Sequence, residues 1–109
     1  MKEAGKYSQA CMEAWLSCEN LLITLNKQEI SFSERTKQVL DECAHICLGT
    51  VHAIANQITN LNQVALLCVG ICEECAEVCE RYNDFLFSEC AHACRNCSST
   101  ITALASEAV

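Results

Sequence analysis

Proline is absent from the 109 residues, and glycine occurs only three times, at Gly5, Gly49 and Gly70. Turns depend on these two residue types, since proline fixes φ and glycine permits positive φ. A β-rich or loop-rich domain needs many turns, so the sequence excludes that class and favours long helices with short connections. The length suits a single domain, because two independent cores are difficult to build from so short a chain.

Basic residues are also scarce, with seven Lys and Arg against fourteen Asp and Glu and a net charge of −7. Binding to a phosphate backbone requires clustered Lys and Arg, so we expect no nucleic-acid partner. Apolar runs such as Leu21–Leu25 are too short to span a membrane. The first ten residues lack the apolar core of a secretory signal, so we expect a cytoplasmic protein whose thiols stay reduced.

Helical periodicity recurs in four stretches, which we place at about residues 3–26, 33–57, 60–82 and 86–106. Before the second stretch, Ser31 and Glu34 have the spacing of a capping box. Four helices of similar length joined by short loops form an up-down-up-down bundle. The expected fold is therefore all-α, an antiparallel four-helix bundle with a cysteine-lined core that occupies residues 1–109 as one domain.

Eleven cysteines follow the helical repeat. The third predicted helix has steps of 4, 3 and 4 between successive cysteines, and the fourth has steps of 4 and 3. Residues at these spacings share one face of a helix, so each helix carries a single sulfur stripe that its apolar core residues continue. The sulfur-lined interior is thus the candidate site, and its members are Cys11, Cys18, Cys43, Cys47, Cys68, Cys72, Cys75, Cys79, Cys90, Cys94 and Cys97.

Several chemistries could use these thiols. Eleven inward cysteines are too many to be packing residues alone, and their odd number prevents complete disulfide pairing. Residues at i and i+4 have Cβ atoms about 5–6 Å apart, which is wider than a disulfide prefers. Cys72–Cys75 and Cys94–Cys97 match a zinc spacing, but zinc or an iron–sulfur cluster needs four converging ligands and leaves most cysteines unused.

Copper(I) requires fewer ligands per ion, because this soft cation can be held by two opposed thiolates. Four pairs have the i, i+4 spacing that places two sulfurs together on one helix, namely Cys43/Cys47, Cys68/Cys72, Cys75/Cys79 and Cys90/Cys94. Cys11, Cys18 and Cys97 would join by pairing across helices. Many low-coordinate sites along one interior are typical of a store rather than of a single catalytic centre.

The run Cys68-x3-Cys72-x2-Cys75-x3-Cys79, followed after a short turn by Cys90-x3-Cys94-x2-Cys97, resembles the four-helix-bundle copper-storage proteins of bacteria. The resemblance implies a bundle interior filled with Cu(I) on paired cysteines, assembly as a homotetramer, and the eleven cysteines as ligands. Family members typically hold more cysteines. Here Thr36, Phe87 and Ile101 occupy positions where the helical spacing of the cysteines would place further thiols. Two thiolates per ion give about five Cu(I) per chain.

The remaining candidate ligands lie off the sulfur stripes. His45 and His92 each follow a cysteine by two positions, which turns them away from the core, and His52 is also off the row. Met12 lies off the face of Cys11, whereas Trp15 is expected in the core.

The third helix is apolar nearly all round near its middle, which predicts burial on more than one side. Leu66, Val69, Gly70 and Gly49 therefore indicate a contact between copies of the chain.

The sequence predicts a non-enzymatic protein that stores or buffers several Cu(I) ions, since it shows no nucleophile–base arrangement and no Gly-rich phosphate loop. The alternative function on the same fold is a thiol redox module or a zinc- or iron–sulfur-binding module.

Overall fold

The computed structural model describes residues 2–28 and 32–106, and it describes the side chains of residues 5–27 and 32–106. It contains four helices, α1 (Lys2–Gln28), α2 (Glu34–Ala55), α3 (Leu61–Glu80) and α4 (Phe85–Ser106). No strand occurs within the described ranges, which confirms the all-α expectation. Every helix boundary lies within about two residues of its predicted position, the margin expected for helix ends.

The four helices form a closed square. α1 packs against α2 and α4, and α3 packs against the same two helices. Because the connections are short, sequential helices run antiparallel. The last side of the square is antiparallel too, since Cys90 of α4 contacts Cys18 of α1 whereas Cys97, further along α4, contacts Cys11. Among the described residues, no helical segment combines the length with the apolar character that a membrane span requires.

The start of α2 is fixed by Ser33. Its side-chain oxygen accepts a hydrogen bond from the backbone N–H of Thr36 at 3.1 Å, which satisfies one of the donors that a helix leaves free in its first turn. Ser33 has the extended backbone typical of an N-cap. Ser31, the predicted partner of Glu34 in a capping box, lies outside the described residues.

The end of α2 comes two residues before the predicted position because the chain turns into the left-handed region. Gln57 has φ of 51°, its N–H bonds to the carbonyl of Ile54, and the N–H of Ile58 bonds to the carbonyl of Ala53. This pair of bonds is a Schellman motif, which usually has glycine at the position that Gln57 occupies. Because Gln57 stands where glycine is usual, the sequence carried no signal for this helix end.

Small residues alternate with the sulfurs along the core. Ala14 is fully buried between Cys11 and Cys18, and Ala65 is fully buried one turn before Cys68. Trp15, expected in the core, is only partly buried and packs against its edge. The prediction for Trp15 was wrong because Ala14, three residues after Cys11, occupies the interior position on α1. Trp15 directly follows Ala14 and is therefore rotated toward the surface.

Replacing Ser33 with Ala removes the cap of α2, so we expect the free energy of unfolding of the reduced apoprotein to fall by about 1 kcal/mol. Urea denaturation followed by circular dichroism measures the change. Ser99→Ala, at an exposed position within α4, is the control and is expected to leave the stability nearly unchanged. Equal stability of the Ser33→Ala variant and the wild type would contradict the assigned capping role.

Candidate metal centre

All eleven cysteine side chains are completely buried, and none is joined in a disulfide. The helical spacing accounts for this burial, since steps of three and four residues return each sulfur to the same face. Buried thiols are weak hydrogen-bond donors, so they can remain in a dry core without the partners that an amine or carboxylate would require. The structure therefore places every predicted site residue in the interior of the bundle.

The sulfurs meet mainly across helices. Cys47 of α2 lies 3.5 Å from Cys72 of α3, and Cys18 of α1 lies 3.7 Å from Cys90 of α4. Among the four i, i+4 pairs, Cys43 and Cys47 approach within 3.9 Å. The sequence predicted the sulfur face of each helix, but the structure shows that the closest neighbours of most sulfurs come from another helix.

Two groups of four sulfurs and one group of three have all their Sγ atoms within 4.8 Å of one another. One group of four, which we call the upper tetrad, contains one cysteine from each helix. The other group of four, the lower tetrad, contains cysteines from α2, α3 and α4. The group of three, the end trio, shares one cysteine with the upper tetrad. The upper tetrad is Cys18, Cys43, Cys75 and Cys94, the lower tetrad is Cys47, Cys68, Cys72 and Cys97, and the end trio is Cys75, Cys79 and Cys90.

The two tetrads contact each other, and one further cysteine lies beside the lower tetrad. Cys43 of the upper tetrad lies 3.9 Å from Cys72 of the lower tetrad. Cys11, the remaining sulfur, lies 3.7 Å from Cys97 and 4.0 Å from Cys68. The eleven sulfurs consequently line one continuous interior, from the end trio to Cys11.

The thiols share their protons through S–H···S contacts. Hydrogen bonds from neighbouring thiols, first that of Cys18, lower the pKa of Cys75 below the usual thiol range. Contacts with Cys43 and Cys47, together with burial, raise the pKa of Cys72, because its charged form would face other sulfurs in a medium of low dielectric constant. Ionisation of one thiol in such a group opposes ionisation of the next, so a cation entering the interior has to displace protons.

A polar contact that the sequence analysis missed lies at the thiol-rich end of the bundle. The Tyr82 phenol and the Thr36 hydroxyl are 2.8 Å apart, and the Thr36 hydroxyl is also 2.8 Å from that of Ser33. The Tyr82 ring stacks on Phe87 with centroids 4.1 Å apart. Tyr82 follows Cys79 by three residues and so continues the stripe of α3, a signal that could have identified it. We call Ser33, Thr36, Tyr82 and Phe87 the end clasp.

The other candidate ligands lie on the outside of the bundle. His45, His52 and His92 are all exposed, and Met12 is exposed too, which agrees with their predicted positions off the sulfur stripes. On the outer face of α3, Leu66 and Leu67 are 65% and 64% exposed, while Val69 is partly buried against the core. Histidine or methionine side chains thus do not line the described interior, whose potential soft ligands are cysteines.

Comparison with known proteins agrees with this arrangement. A 27% identical relative from Bacillus subtilis (strain 168), named "Uncharacterized cysteine-rich protein YhjQ", aligns over 105 residues, covering 92% of this chain and 97% of that protein. No solved structure matches the chain significantly. A family described as "Copper storage protein" matches residues 1–106. Since this match covers nearly the whole chain, the protein belongs to the copper storage protein family.

Proposed function

We propose that this protein stores or buffers several Cu(I) ions in the cytoplasm and that the eleven buried cysteines are the ligands. The observation that carries the proposal is the continuous sulfur lining, in which each thiol lies beside others and none is exposed. Cu(I) is a soft ion that matches thiolate. Membership of the copper storage family supports copper as the cargo.

The sulfur contacts offer a route for loading. Copper would enter at the thiol-rich end, where Cys79 and Cys90 lie nearest to the loops, and pass to the upper tetrad through Cys75. The approach of Cys43 to Cys72 then links the upper tetrad to the lower one. Each step exchanges one thiolate ligand for a neighbour a few ångströms away, so the ion never has to leave sulfur coordination.

The capacity that we propose is about five Cu(I) per chain, at two thiolates per ion with one cysteine left over. Digonal coordination suits the interior because each sulfur lies within 4.8 Å of at least one cysteine sulfur of another helix. The described core contains no pair of side chains in which one could act as a nucleophile and the other as its base, because the three histidines are exposed. The proposed activity is therefore binding and release without catalytic turnover.

The iron–sulfur alternative fits the geometry less well than copper does. The sulfurs of a tetrad lie within 4.8 Å of one another, which leaves room for a single ion rather than for a cluster of several irons with bridging sulfides. A thiol redox module needs thiols that a partner can reach, and all eleven cysteine side chains are completely buried. Copper uptake and thiol oxidation are separable by experiment.

We propose further that the protein is a homotetramer, as the family resemblance implies. Leu66 and Leu67 present an exposed apolar surface on α3, beside Gly70, and burial of this surface against another copy would stabilise the assembly. Light scattering on the reduced protein measures the molar mass. We expect four times the mass of the 12.0 kDa chain, and a monomer at micromolar concentration would contradict this assembly.

Anaerobic titration of the fully reduced protein with Cu(I), in competition with a chromophoric chelator, is expected to show withdrawal of about five ions per chain. The double variant Cys43→Ser/Cys47→Ser lowers the capacity because it removes sulfurs from both tetrads. Replacement of all three exposed histidines by Ala is the matched control and leaves the capacity unchanged. Uptake of one ion or none by the wild type would contradict copper storage, and rapid reversible disulfide formation would then favour the redox alternative.

Copper affinity should weaken as the pH falls. Binding converts thiols to thiolates, and contacts with Cys43 and Cys47, together with burial, keep the pKa of Cys72 above the usual thiol range, so protons compete with copper through neutral pH. An ion bound by two sulfurs that were both protonated loses about a hundredfold in apparent affinity for each unit of pH decrease. Chelator competition between about pH 6 and pH 8 measures the slope, and an affinity independent of pH would contradict this mechanism.

A further inference from the structure

We infer that the two tetrads are also tetrahedral sites for a divalent ion of the zinc type, with one ion held by Cys18, Cys43, Cys75 and Cys94 and a second by Cys47, Cys68, Cys72 and Cys97. This inference stands independently of copper storage, since it rests on the number and spacing of the sulfurs alone. It assigns to the same interior a second class of cargo with a different coordination number.

The spacing of the sulfurs matches the edge of a zinc–thiolate tetrahedron. Zn–S bonds of about 2.3 Å at tetrahedral angles place the sulfurs about 3.8 Å apart. In the upper tetrad, Cys18 and Cys75 are 3.9 Å apart, and Cys43 and Cys94 are 3.8 Å apart. The remaining sulfur–sulfur distances are at most 4.8 Å, so each exceeds the tetrahedral edge by no more than about 1 Å.

The lower tetrad repeats this geometry one helical turn further along the bundle. Cys47 and Cys72 are 3.5 Å apart, and Cys68 and Cys97 are 3.9 Å apart. The members of the upper tetrad come from all four helices, so that site exists only when the bundle is assembled. The sequence spacing Cys72–Cys75 suggested a zinc ligand pair, but the structure divides these two residues between the tetrads.

Charge sets the strength of such sites. Four thiolates around one divalent ion carry a net charge of −2, and the polar groups buried in the described core are the neutral side chains of Thr36, Thr50 and Ser98. With no buried cation to offset this charge, the ion is held less firmly than in a zinc site that receives N–H···S hydrogen bonds. The tetrads therefore suit exchangeable zinc rather than a permanent structural ion.

The test is an anaerobic titration of the reduced, metal-free protein with Co²⁺, whose visible absorption distinguishes tetrahedral thiolate coordination from octahedral oxygen coordination. We expect the intense tetrahedral absorption to saturate at two Co²⁺ per chain and to disappear when Zn²⁺ is added. Cys18→Ser and Cys47→Ser each disable one tetrad and should halve the saturating amount.

Cys79→Ser and Cys11→Ser are the matched controls, since they remove buried sulfurs that belong to neither tetrad. Both should retain two tetrahedral Co²⁺ sites, and circular dichroism verifies that each variant is folded. Octahedral Co²⁺ only, saturation at a number other than two, or the same loss in the Cys79→Ser control would overturn the inference. Copper uptake is titrated on the same preparations, so intact copper uptake without tetrahedral Co²⁺ would overturn this inference and leave the storage proposal standing.

Discussion

The burial of eleven thiols in one core is the constraint on which the rest of the structure depends. Potential metal ligands such as carboxylates or imidazoles are costly to bury without partners, whereas a thiol packs as a small apolar group and donates only weak hydrogen bonds. A helix bundle strengthens this advantage, because its backbone N–H and C=O groups are already paired within each helix. The fold can therefore keep a dry interior lined with potential ligands before any ion enters it.

Close approach of the helices follows from the small residues between the sulfurs. Ala14 and Ala65 fill core positions next to cysteines, so sulfurs from facing helices come within van der Waals contact. At the thiol-rich end, the stacked rings and hydroxyl groups of the end clasp join the start of α2 to the connection between α3 and α4. At the opposite end, Ile101 and other apolar side chains complete the core. The sulfur-lined segment is thus bounded at both ends by residues of other kinds.

Much of this arrangement could be predicted from the sequence, because the helical repeat determines which face each cysteine occupies. The inward sulfurs and the exposed histidines follow directly from this repeat. The partners of each sulfur could not be predicted, since they depend on how the helices are shifted along one another. The sequence indicated only that Cys97 pairs with a cysteine of another helix, whereas the structure shows that it contacts Cys11 and Cys68. The end of α2 at Ala55, just before the left-handed Gln57, and the inward position of Ala14 were missed for similarly local reasons.

The central claim is that copper is held inside the bundle by cysteine sulfur alone. X-ray absorption at the copper edge of the Cu(I)-loaded, reduced protein tests it most directly, because the first coordination shell distinguishes sulfur from nitrogen and oxygen. The account predicts a shell of sulfur only, at every loading up to saturation. A nitrogen or oxygen ligand in the first shell would contradict it, and a nitrogen ligand would indicate that the ion lies on the surface, beside the exposed His45, His52 or His92, rather than in the sulfur-lined interior.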